Sequence, residues 1–209
     1  ASVSYVDAQI GRLVEGLKKL GLYDNTIIVI WGDHGWKLGE HNAWCKQTNY
    51  EIDTRVPMII AGAHVTAKNA QSNALTEFVD IYPTLCEMAG LKIPVHLQGT
   101  STVPLLQDPN QPWKVTAFSQ FLQGRFGKMH KNHEGKQYMG YSIRTDQYRY
   151  VEWYEWDQSN TIGALTNKEL YDHETDPGEN INIASFTENK EIIKVLSYQL
   201  EKGWMHAKP

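Results

Sequence analysis

The sequence predicts an α/β fold that continues into a small antiparallel sheet with a closing carboxyl-terminal helix. Two observations on its 209 residues support this prediction. In the first half, stretches with apolar residues at helical spacing alternate with short, continuous β-branched runs, which is typical of helices layered on a sheet. In the second half, aromatic-rich stretches alternate apolar and polar residues, as antiparallel strands do. We place the boundary near residue 115, which gives an α/β part over residues 1–115 and an antiparallel-sheet part over residues 116–209.

The first half should contain two helices and two strands. Residues 4–20 carry isoleucine and leucine at helical spacing, and Gly21 is a natural helix stop. The run Thr26–Trp31 and a second run from Val56 are short, apolar and rich in β-branched residues, which predicts strands buried on both faces. Residues 76–90 carry another apolar helical face that ends at a glycine. Helix, strand, strand and helix together indicate α/β layering.

The second half should consist mostly of loops and antiparallel strands. The turn-rich residues 94–112 and the polar segment Phe121–Gln137 are predicted loops. The stretch Met139–Trp156 alternates apolar and polar residues around a turn at residues 145–147, which predicts a hairpin, and a short strand should lie near Leu170. A closing amphipathic helix is predicted from four apolar residues at helical spacing: Ile192, Ile193, Leu196 and Leu200.

Composition argues against two classes of function. The formal net charge is −4, so the broad basic surface of a nucleic-acid-binding protein is missing. The longest purely apolar run, Ile27–Trp31, is far shorter than the roughly 18 residues of a membrane span. The chain starts at Ala1 without an initiator methionine or a signal-peptide pattern, so we interpret it as a fragment or a processed chain. Its two cysteines predict neither a metal site nor a disulfide framework, and they leave the compartment open.

A candidate metal site follows the first predicted strand. Asp33 and His34 come directly beyond the apolar run, and functional residues of open α/β sheets gather beyond the carboxyl ends of strands. Aspartate supplies a hard anionic oxygen and histidine a neutral nitrogen, and the flanking Gly32 and Gly35 let the backbone approach an ion closely. These residue types therefore suit a divalent metal. The alternative is that Asp33 caps a turn while His34 simply packs, and the pair alone favours that alternative.

The residues after this pair add the groups that an anion site needs. Glu40, His41 and Lys46 place an acid, an imidazole and an ammonium in one loop, and Trp36 and Trp44 could exclude water from it. A lysine about 4 Å from one anionic charge interacts by roughly 4 kcal/mol at the dielectric of a partly buried site. The loop is therefore a candidate site for a doubly charged anion beside a metal. The alternative for Lys46 is a solvated surface charge.

A basic segment in the second half is a candidate for recognising an anionic sugar. It holds six basic residues within twelve positions: Arg125, Lys128, His130, Lys131, His133 and Lys136. Together with Trp36 and Lys46, the side chains of Arg125 and Lys128 are our candidate substrate contacts. The alternative is a solvated loop without a binding role.

One long motif, GDHGWKLGEHNAWCK at residues 32–46, is followed by Tyr50 and by RVPMIIAG at residues 55–62. This combination resembles the type I sulfatase family of the alkaline phosphatase superfamily, nearest to the group of iduronate-2-sulfatase and its bacterial relatives. The preceding helix and strand, and the stretches MGYSIRTDQYRYVEW and ELYDHETDPGENINIA in the second half, are also similar to this family. The resemblance covers nearly the whole chain and is weakest over residues 94–137.

The resemblance implies a calcium-dependent enzyme that hydrolyses sulfate esters on a sulfatase-type α/β/α sheet domain. It implies that Asp33 and His34 are calcium ligands and that Lys46 contacts the sulfate. His41 would be an additional contact or would structure the loop. The implied substrates are sulfated sugars, such as 2-sulfated uronic acids in glycosaminoglycans, and the implied location is periplasmic, secreted or lysosomal.

The chain departs from the family pattern in its nucleophile. Sulfatases use a formylglycine made from the cysteine of a Cys-x-Pro-Ser/Ala-x-Arg motif, and neither Cys45 nor Cys86 lies in such a motif. Asp33 and His34 are two ligands where calcium prefers about six to eight oxygens, so the calcium site should be incomplete. We therefore predict the carboxyl-terminal portion of a sulfatase, inactive alone, whose partner is the missing amino-terminal half or a second copy of the chain.

Two other functions stay open. Metal-dependent phosphodiesterases and phosphomutases of the same superfamily also place an Asp-His pair after a strand, so the chain could be a fragment of such an enzyme. A non-catalytic binding module would account for the missing nucleophile. That module would need a complete binding site within these residues, and the predicted metal site is only part of one.

Overall fold

The computed structural model describes residues 1–62, 65–67, 69–123, 136–157 and 162–209. The helices are α1 (Ser2–Lys19), α2 (Glu51–Thr54), α3 (Ile81–Met88), α4 (Val103–Gln107) and α5 (Lys190–Lys202). The strands are β1 (Ile27–Trp31), β2 (Lys37–Leu38), β3 (Trp44–Cys45), β4 (Met58–Gly62), β5 (Ala117–Gln123), β6 (Gln137–Arg144), β7 (Tyr148–Trp156) and β8 (Ile162–Asp172).

The chain divides into two compact units that are interleaved along the sequence. The first unit comprises residues 1–31, 57–73 and 78–111. The second unit comprises residues 32–56, 74–77 and 112–209. The domain boundary that we place near residue 115 stays a prediction. In the described part of the chain, no helix has both the length and the hydropathy of a membrane span.

Helix α1 confirms the first predicted helix. It begins two residues earlier than expected, and it ends just before Gly21, whose φ of +68° favours glycine at this position. None of residues 2–19 is buried, although the helix carries apolar side chains at regular spacing. Val3, Tyr5, Val6 and Leu13 of α1 are exposed to solvent, whereas Ile10, Val14 and Leu17 are partly buried.

Strands β1 and β4 form a two-stranded antiparallel sheet in the first unit. Ile27 lies opposite Gly62, and Trp31 lies opposite Met58. Both strands are partly exposed in this chain, since Trp31 is 46% exposed and Ile59 is 57% exposed, and their burial on both faces in the complete fold stays a prediction. Among the described residues each strand pairs only with the other, so the free edges and part of the faces stay uncovered.

Helices α3 and α4 complete the first unit. The predicted helix over residues 76–90 is confirmed in its centre, where a 3-10 turn at Phe78–Asp80 leads into α3. The chain then turns at Gly90, which has a φ of +69°. Helix α4 lies within residues 94–112, which we predicted to be a loop. Its five residues are too few to show a helical period in the sequence.

The second unit contains a four-stranded antiparallel sheet in the order β5-β6-β7-β8. The predicted hairpin is confirmed, since the amide of Thr145 donates to the carbonyl of Tyr148 at 2.8 Å between β6 and β7. Strand β5 was not predicted, and its last three residues overlap the predicted loop Phe121–Gln137. Strand β8 has eleven residues and is longer than the short strand expected near Leu170.

The core of the second unit lies between this sheet and α5. Ile143, Tyr150 and Leu170 of the sheet are fully buried, and Leu196 of α5 packs against them. The closing amphipathic helix is thus confirmed. Three further apolar residues of α5 are partly buried against the same core: Ile192, Ile193 and Leu200.

Candidate functional site

The candidate site lies on the segment between β1 and α2, which belongs to the second unit. In the middle of this segment β2 and β3 pair antiparallel, with Lys37 opposite Cys45. A 3-10 turn at Glu40–Asn42 closes this short hairpin at its tip. The hairpin folds the segment back on itself and brings His34 and Lys46 into contact although twelve positions separate them.

Three of the predicted site residues meet in the structure. The ammonium of Lys46 contacts Nε2 of His34, and a carboxylate oxygen of Asp33 lies 3.2 Å from the same nitrogen. Nδ1 of His34 lies 2.8 Å from the carbonyl oxygen of Gly35, so we assign the ring proton to Nδ1, which donates to that oxygen. Nε2 then presents its lone pair to a cation. The Asp33 side chain is 83% exposed, so the group is open to solvent.

Backbone strain is concentrated around Lys46. Four non-glycine residues of this segment have positive φ: His41, Asn42, Cys45 and Gln47. Cys45 and Gln47, with φ of 70° and 85°, flank Lys46 directly. Each such residue costs on the order of 1–3 kcal/mol, and these conformations cluster at functional sites. The strain therefore supports a functional role for the segment.

A buried ion pair attaches the segment to α2. Lys37 is fully buried, and its ammonium contacts the carboxylate of Asp53, which also accepts a 2.6 Å hydrogen bond from the hydroxyl of Thr48. The amide of Gly35 donates to the carbonyl of Asp53 at 2.9 Å. A side chain at Gly35 is excluded, because its Cβ would lie 1.6 Å from the carbonyl oxygen of Ile52. The sequence analysis missed this ion pair, since lysines are expected at the surface.

His41 packs against the aromatic residues that follow the hairpin. Its imidazole stacks on the ring of Tyr50, with centroids 3.8 Å apart and planes 4° from parallel. Tyr50 in turn meets Tyr171 edge to face, with ring centroids 5.8 Å apart. Burial raises the pKa of the Tyr50 hydroxyl, so the phenol beside His41 stays uncharged. This packing favours the loop-structuring role of His41, and its contact with a substrate stays a prediction.

The tryptophans of the segment do not shield the site from water in the described chain. Trp36 lies beside His34, with ring centroids 6.2 Å apart and planes at 30°. Trp36 and Trp44 are nevertheless both exposed. Our expectation that these two side chains exclude water is therefore not met among the described residues, and the stacking position of Trp36 is what connects it to the site.

The basic segment that we predicted to contact the substrate is largely outside the described residues. Arg125 and Lys128 both lie outside them, and so do the histidines and the lysine that follow. Lys136, at the end of the segment, is described, and its ammonium donates to the carboxylate of Glu155 at 3.0 Å. The proposed contacts of Arg125 and Lys128 with an anionic sugar stay predictions.

A second charged cluster lies at the start of α2. In the described ranges, one group of three side chains has metal-ligand atoms close together: Glu51, His173 and Glu179. Arg149 already binds both carboxylates, with nitrogen to oxygen distances of 2.5 Å to each. Burial alone would raise the pKa of Glu51, but the charges of Arg149 and Arg144 hold it below its usual value. We therefore assign the cluster as a salt-bridge network, with the guanidinium in the place of a metal.

The chemistry of the candidate site follows from its side chains. The Asp33 carboxylate and the Nε2 lone pair of His34 are ligands for a divalent cation, and the Lys46 ammonium is a ligand for an anion. Cys45 is an exposed thiol next to Lys46, while Cys86 is buried. The arrangement suits an anion of the sulfate type, bound between a metal ion and a lysine.

A family model and a curated relative match this chain. Residues 39–205 match the model described as N-sulphoglucosamine sulphohydrolase, C-terminal. The iduronate 2-sulfatase of Homo sapiens is 28% identical over 247 residues, a match that covers 94% of this chain and 45% of that protein. The chain therefore spans less than half the length of this relative.

Solved structures show the same similarity. One, determined in complex with its substrate D-glucosamine-2-N,6-O-disulfate, has a TM-score of 0.80 at 32% identity and covers 96% of this chain and 38% of that one. A phosphonate monoester hydrolase from Silicibacter pomeroyi has a TM-score of 0.77 at 26% identity, with coverage of 97% and 39%. The superpositions confirm the predicted fold class of mixed helices and antiparallel sheet with a closing helix.

Proposed function

Because this chain belongs to the N-sulphoglucosamine sulphohydrolase C-terminal family, we propose that it forms the carboxyl-terminal part of a sulfatase that hydrolyses sulfate esters of sugars. One observation carries the proposal: Lys46 contacts His34 beside Asp33, on the segment that resembles the metal and sulfate motif of sulfatases. An ammonium, an imidazole and a carboxylate at this spacing suit a sulfate group held beside a divalent cation.

Lys46 is the proposed sulfate-binding residue. Its side chain is exposed, so a substrate can reach the ammonium from solvent. When a sulfate ester is hydrolysed, the bond between sulfur and the alcohol oxygen breaks and negative charge grows on that oxygen. A positive charge fixed nearby neutralises part of this charge without reorganising at the moment of reaction. His41 is the proposed additional catalytic contact, kept in place by its stack on Tyr50.

We propose calcium as the cofactor, with Asp33 and His34 among its ligands. Sulfatases are metal-dependent in general, and Asp33 offers the hard anionic oxygen that calcium prefers. The fit is partial, because these two side chains supply two ligands of about six to eight, so the others would come from outside the described residues. When bound, such an ion acts as a Lewis acid on the oxygens of the sulfate.

The nucleophile is proposed to come from outside this chain. Neither cysteine lies in the motif from which sulfatases make formylglycine, and Cys86 is in addition buried. Lys46 and His34 can stabilise charge, but they do not replace a nucleophile that attacks sulfur. We therefore expect this chain to be inactive alone, and the amino-terminal half of a sulfatase is its proposed partner.

Sulfated saccharides are the proposed substrates. A relative by sequence is an iduronate 2-sulfatase, and a similar solved structure holds D-glucosamine-2-N,6-O-disulfate as its substrate. Trp36 lies beside His34 with its ring exposed, where it is free to stack on a sugar. Arg125 and Lys128 are proposed to bind the carboxylate or sulfate groups of that sugar. A 2-sulfated uronic acid of a glycosaminoglycan would use both kinds of contact.

Sulfate binding by the isolated chain tests the anion site. Titration with sodium sulfate at constant ionic strength should shift the backbone NMR signals of Gly35 and Lys46. Lys46→Met should weaken the sulfate affinity about tenfold or more, because hydrogen bonds to charged groups contribute roughly 1.5–3 kcal/mol. Lys92→Met, which removes an exposed lysine of the first unit, is the control and should bind sulfate like the original chain. Equal weakening by both substitutions would contradict the proposal.

A chimera tests the catalytic part. This chain would replace the matching region of human iduronate 2-sulfatase, which supplies the rest of the active site. We expect hydrolysis of a sulfated substrate that falls by about 10²–10³ on Lys46→Met, the usual loss when one charge-stabilising contact is removed. The chain alone, with calcium and an aryl sulfate, should show no turnover above an Asp33→Ala control.

A phosphonate or phosphodiester hydrolase is the second candidate function. It is supported by the similarity to the phosphonate monoester hydrolase from Silicibacter pomeroyi. The two candidates differ in the anion that the site prefers, so phenyl sulfate and a phenylphosphonate monoester should be compared as ligands and as chimera substrates. Preference for the phosphonate at Lys46 would favour the second candidate. Tight binding of a sulfated sugar by this chain alone would instead favour a non-catalytic binding module.

A further inference from the structure

The turn DPGEN at residues 176–180 contains a buried carboxylate in an unfavourable backbone conformation. Glu179 is 2% exposed and has a φ of 55°, a region that favours glycine and asparagine. A buried charge and a strained backbone are both costly, so the surroundings must compensate for them. The partners of Glu179 show where this compensation comes from.

Glu179 binds the first residue of α2 directly. Its Oε2 accepts a 2.7 Å hydrogen bond from the backbone amide of Glu51, across 128 positions in the sequence. Amides in the first turn of a helix lack a partner within the helix, so this carboxylate supplies one. Its Oε1 accepts hydrogen bonds from Arg149 at 2.5 Å and from His173 at 2.8 Å.

Arg149 binds α2 at two further points. Its Nη2 donates to the carboxylate of Glu51 at 2.5 Å and to the hydroxyl of Thr54 at 3.0 Å. Glu51 and Thr54 are the first and last residues of α2, so the helix is attached to the sheet at both ends. The side chain of Arg149 is almost fully buried, and Glu179 is the second carboxylate that balances its charge.

Helix α2 in turn contacts the segment that contains the candidate site. The carbonyl of Asp53 accepts the hydrogen bond from the amide of Gly35, which directly follows His34. The carboxylate of Asp53 binds Lys37 and Thr48, on the two sides of the hairpin. A continuous set of contacts therefore leads from Glu179 through α2 to the turn that holds Asp33 and His34.

We propose that Glu179 is a positioning residue for the candidate site, acting through α2 on the Asp33-His34 turn and its contact with Lys46. The proposal deepens the proposed function. It rests on that function only where it says that the positioning strengthens anion binding. The attachment itself is a property of this chain and is measurable without any substrate.

Hydrogen exchange at Gly35 tests the attachment. In Glu179→Gln the amide of Gly35 should exchange about tenfold faster, because local opening becomes easier when a charged hydrogen bond is lost. The amide of Ile183, which donates to Leu170 at 2.9 Å in the same unit, serves as the reference for global opening. A Gly35 rate that changes only in step with the Ile183 rate would overturn the proposal.

Glu152→Gln is the matched control. Glu152 is also a buried carboxylate of the sheet, and it accepts 2.7 Å hydrogen bonds from Tyr150 and from Ser197 of α5. Glu152→Gln should lower the melting temperature without a selective increase in the hydrogen-exchange rate of the Gly35 amide. If Glu179→Gln does not fold, His173→Phe removes one of the three donors to Glu179 and should give a smaller, still selective, increase at Gly35.

Sulfate affinity connects the attachment to function. We expect Glu179→Gln to weaken sulfate binding about three- to tenfold while Glu152→Gln leaves it unchanged, as for a positioning contact worth roughly 1 kcal/mol. Unchanged sulfate affinity in a Glu179→Gln chain whose Gly35 exchanges faster would overturn the positioning role. If the original chain binds no sulfate, the anion site of the proposed function fails, and the exchange of Gly35 alone decides the inference.

Discussion

Helix α1 of the first unit and the four-stranded sheet of the second unit bury their apolar residues very differently. In the second unit, Ile143, Tyr150 and Leu170 are fully buried between the sheet and α5. In the first unit, α1 has no buried residue, and Leu13 is 70% exposed. Both units carry apolar residues at the spacing of helices and strands, so the local patterns do not explain the difference. What differs is whether another element covers the apolar face.

The exposed apolar side chains of the first unit indicate a surface that binds another segment. Folded proteins rarely leave large apolar patches open to water, and the chain spans less than half the length of its sulfatase relative. We therefore expect the rest of a sulfatase, or a second copy of this chain, to cover α1 and the β1–β4 sheet. The second unit should be stable without such a partner.

The largest effect is expected from Arg149→Met in the second unit. It leaves the buried carboxylate of Glu179 and the partly buried carboxylate of Glu51 without their shared cation, which costs about 3–5 kcal/mol. Urea unfolding measures this loss. The control is Arg12→Met in α1, where the guanidinium of an exposed arginine donates to the side chain of Gln9 at 3.0 Å, and the change should stay within about 0.5 kcal/mol. Similar losses in both variants would contradict the contrast between the units.

Removing an apolar side chain should also lower the unfolding free energy much more in the second unit than in α1. Leu170→Ala removes a fully buried side chain and should cost about 2–5 kcal/mol of unfolding free energy. Leu13→Ala, at an exposed position of α1, should change it by less than about 0.5 kcal/mol. Both values come from urea unfolding at low protein concentration. A large loss for Leu13→Ala would mean that α1 is already packed in solution, against a second copy of the chain.

Acid should destabilise the second unit through Glu51. Burial would raise its pKa, but Arg149 and Arg144 lower it below 4.5. A carboxyl group with a lowered folded-state pKa stabilises the fold above its unfolded pKa and loses this effect as the pH falls through the folded pKa. The melting temperature should therefore fall below about pH 4.5, and Glu51→Gln should flatten that fall.

Glu169 sharpens this test because its pKa shift has the opposite sign. Burial raises its pKa, so its contribution is present below the unfolded pKa and is lost as the pH rises through the folded pKa. The original chain should therefore lose stability through Glu169 as the pH rises above about 4.5, and Glu169→Gln should remove this loss. Glu51→Gln should instead remove a loss that occurs below that pH. The same pH profile for Glu51→Gln and Glu169→Gln would refute the assignment of the two shifts.

The smallest effect on stability, but a clear one on association, is expected from Ile59→Lys. The side chain is 57% exposed on β4, so the unfolding free energy should change by less than about 0.5 kcal/mol. Light scattering over a dilution series should show self-association of the original chain and less of it in the variant. A compact monomer with cooperative unfolding at all concentrations would show that the first unit needs no partner.

Elements with a clear apolar pattern were predictable from the sequence, including the five-residue strands β1 and β4, while α4 and β5 were not. α1, α5 and the β6–β7 hairpin each repeat their period over many residues, so chance patterns are averaged out. Helix α4 has five residues and β5 contains three glutamine or serine side chains, so neither shows a clear period. Their formation depends on contacts that a local pattern does not report.

The same distinction applies to the candidate site. Asp33, His34 and Lys46 lie within one motif, and the prediction that they act together is supported by their contact in the structure. The contacts that attach α2 to the sheet, and so hold the site in place, were not predicted from the sequence. Glu51 and Arg149 are 98 positions apart, so no local pattern connects them.

Properties set by near neighbours in the chain, namely helical period, strand alternation and turn residues, were available from the residues alone. Burial is different, because it depends on which distant segments cover a side chain. Lys37, Arg149 and Glu179 are buried charges, and no local pattern distinguishes them from the exposed Lys46 or Asp33. Their burial becomes favourable only when the folded chain brings the opposite charge and hydrogen-bond donors to each of them. The tertiary structure therefore decided which charged residues support the site and which ones face the solvent.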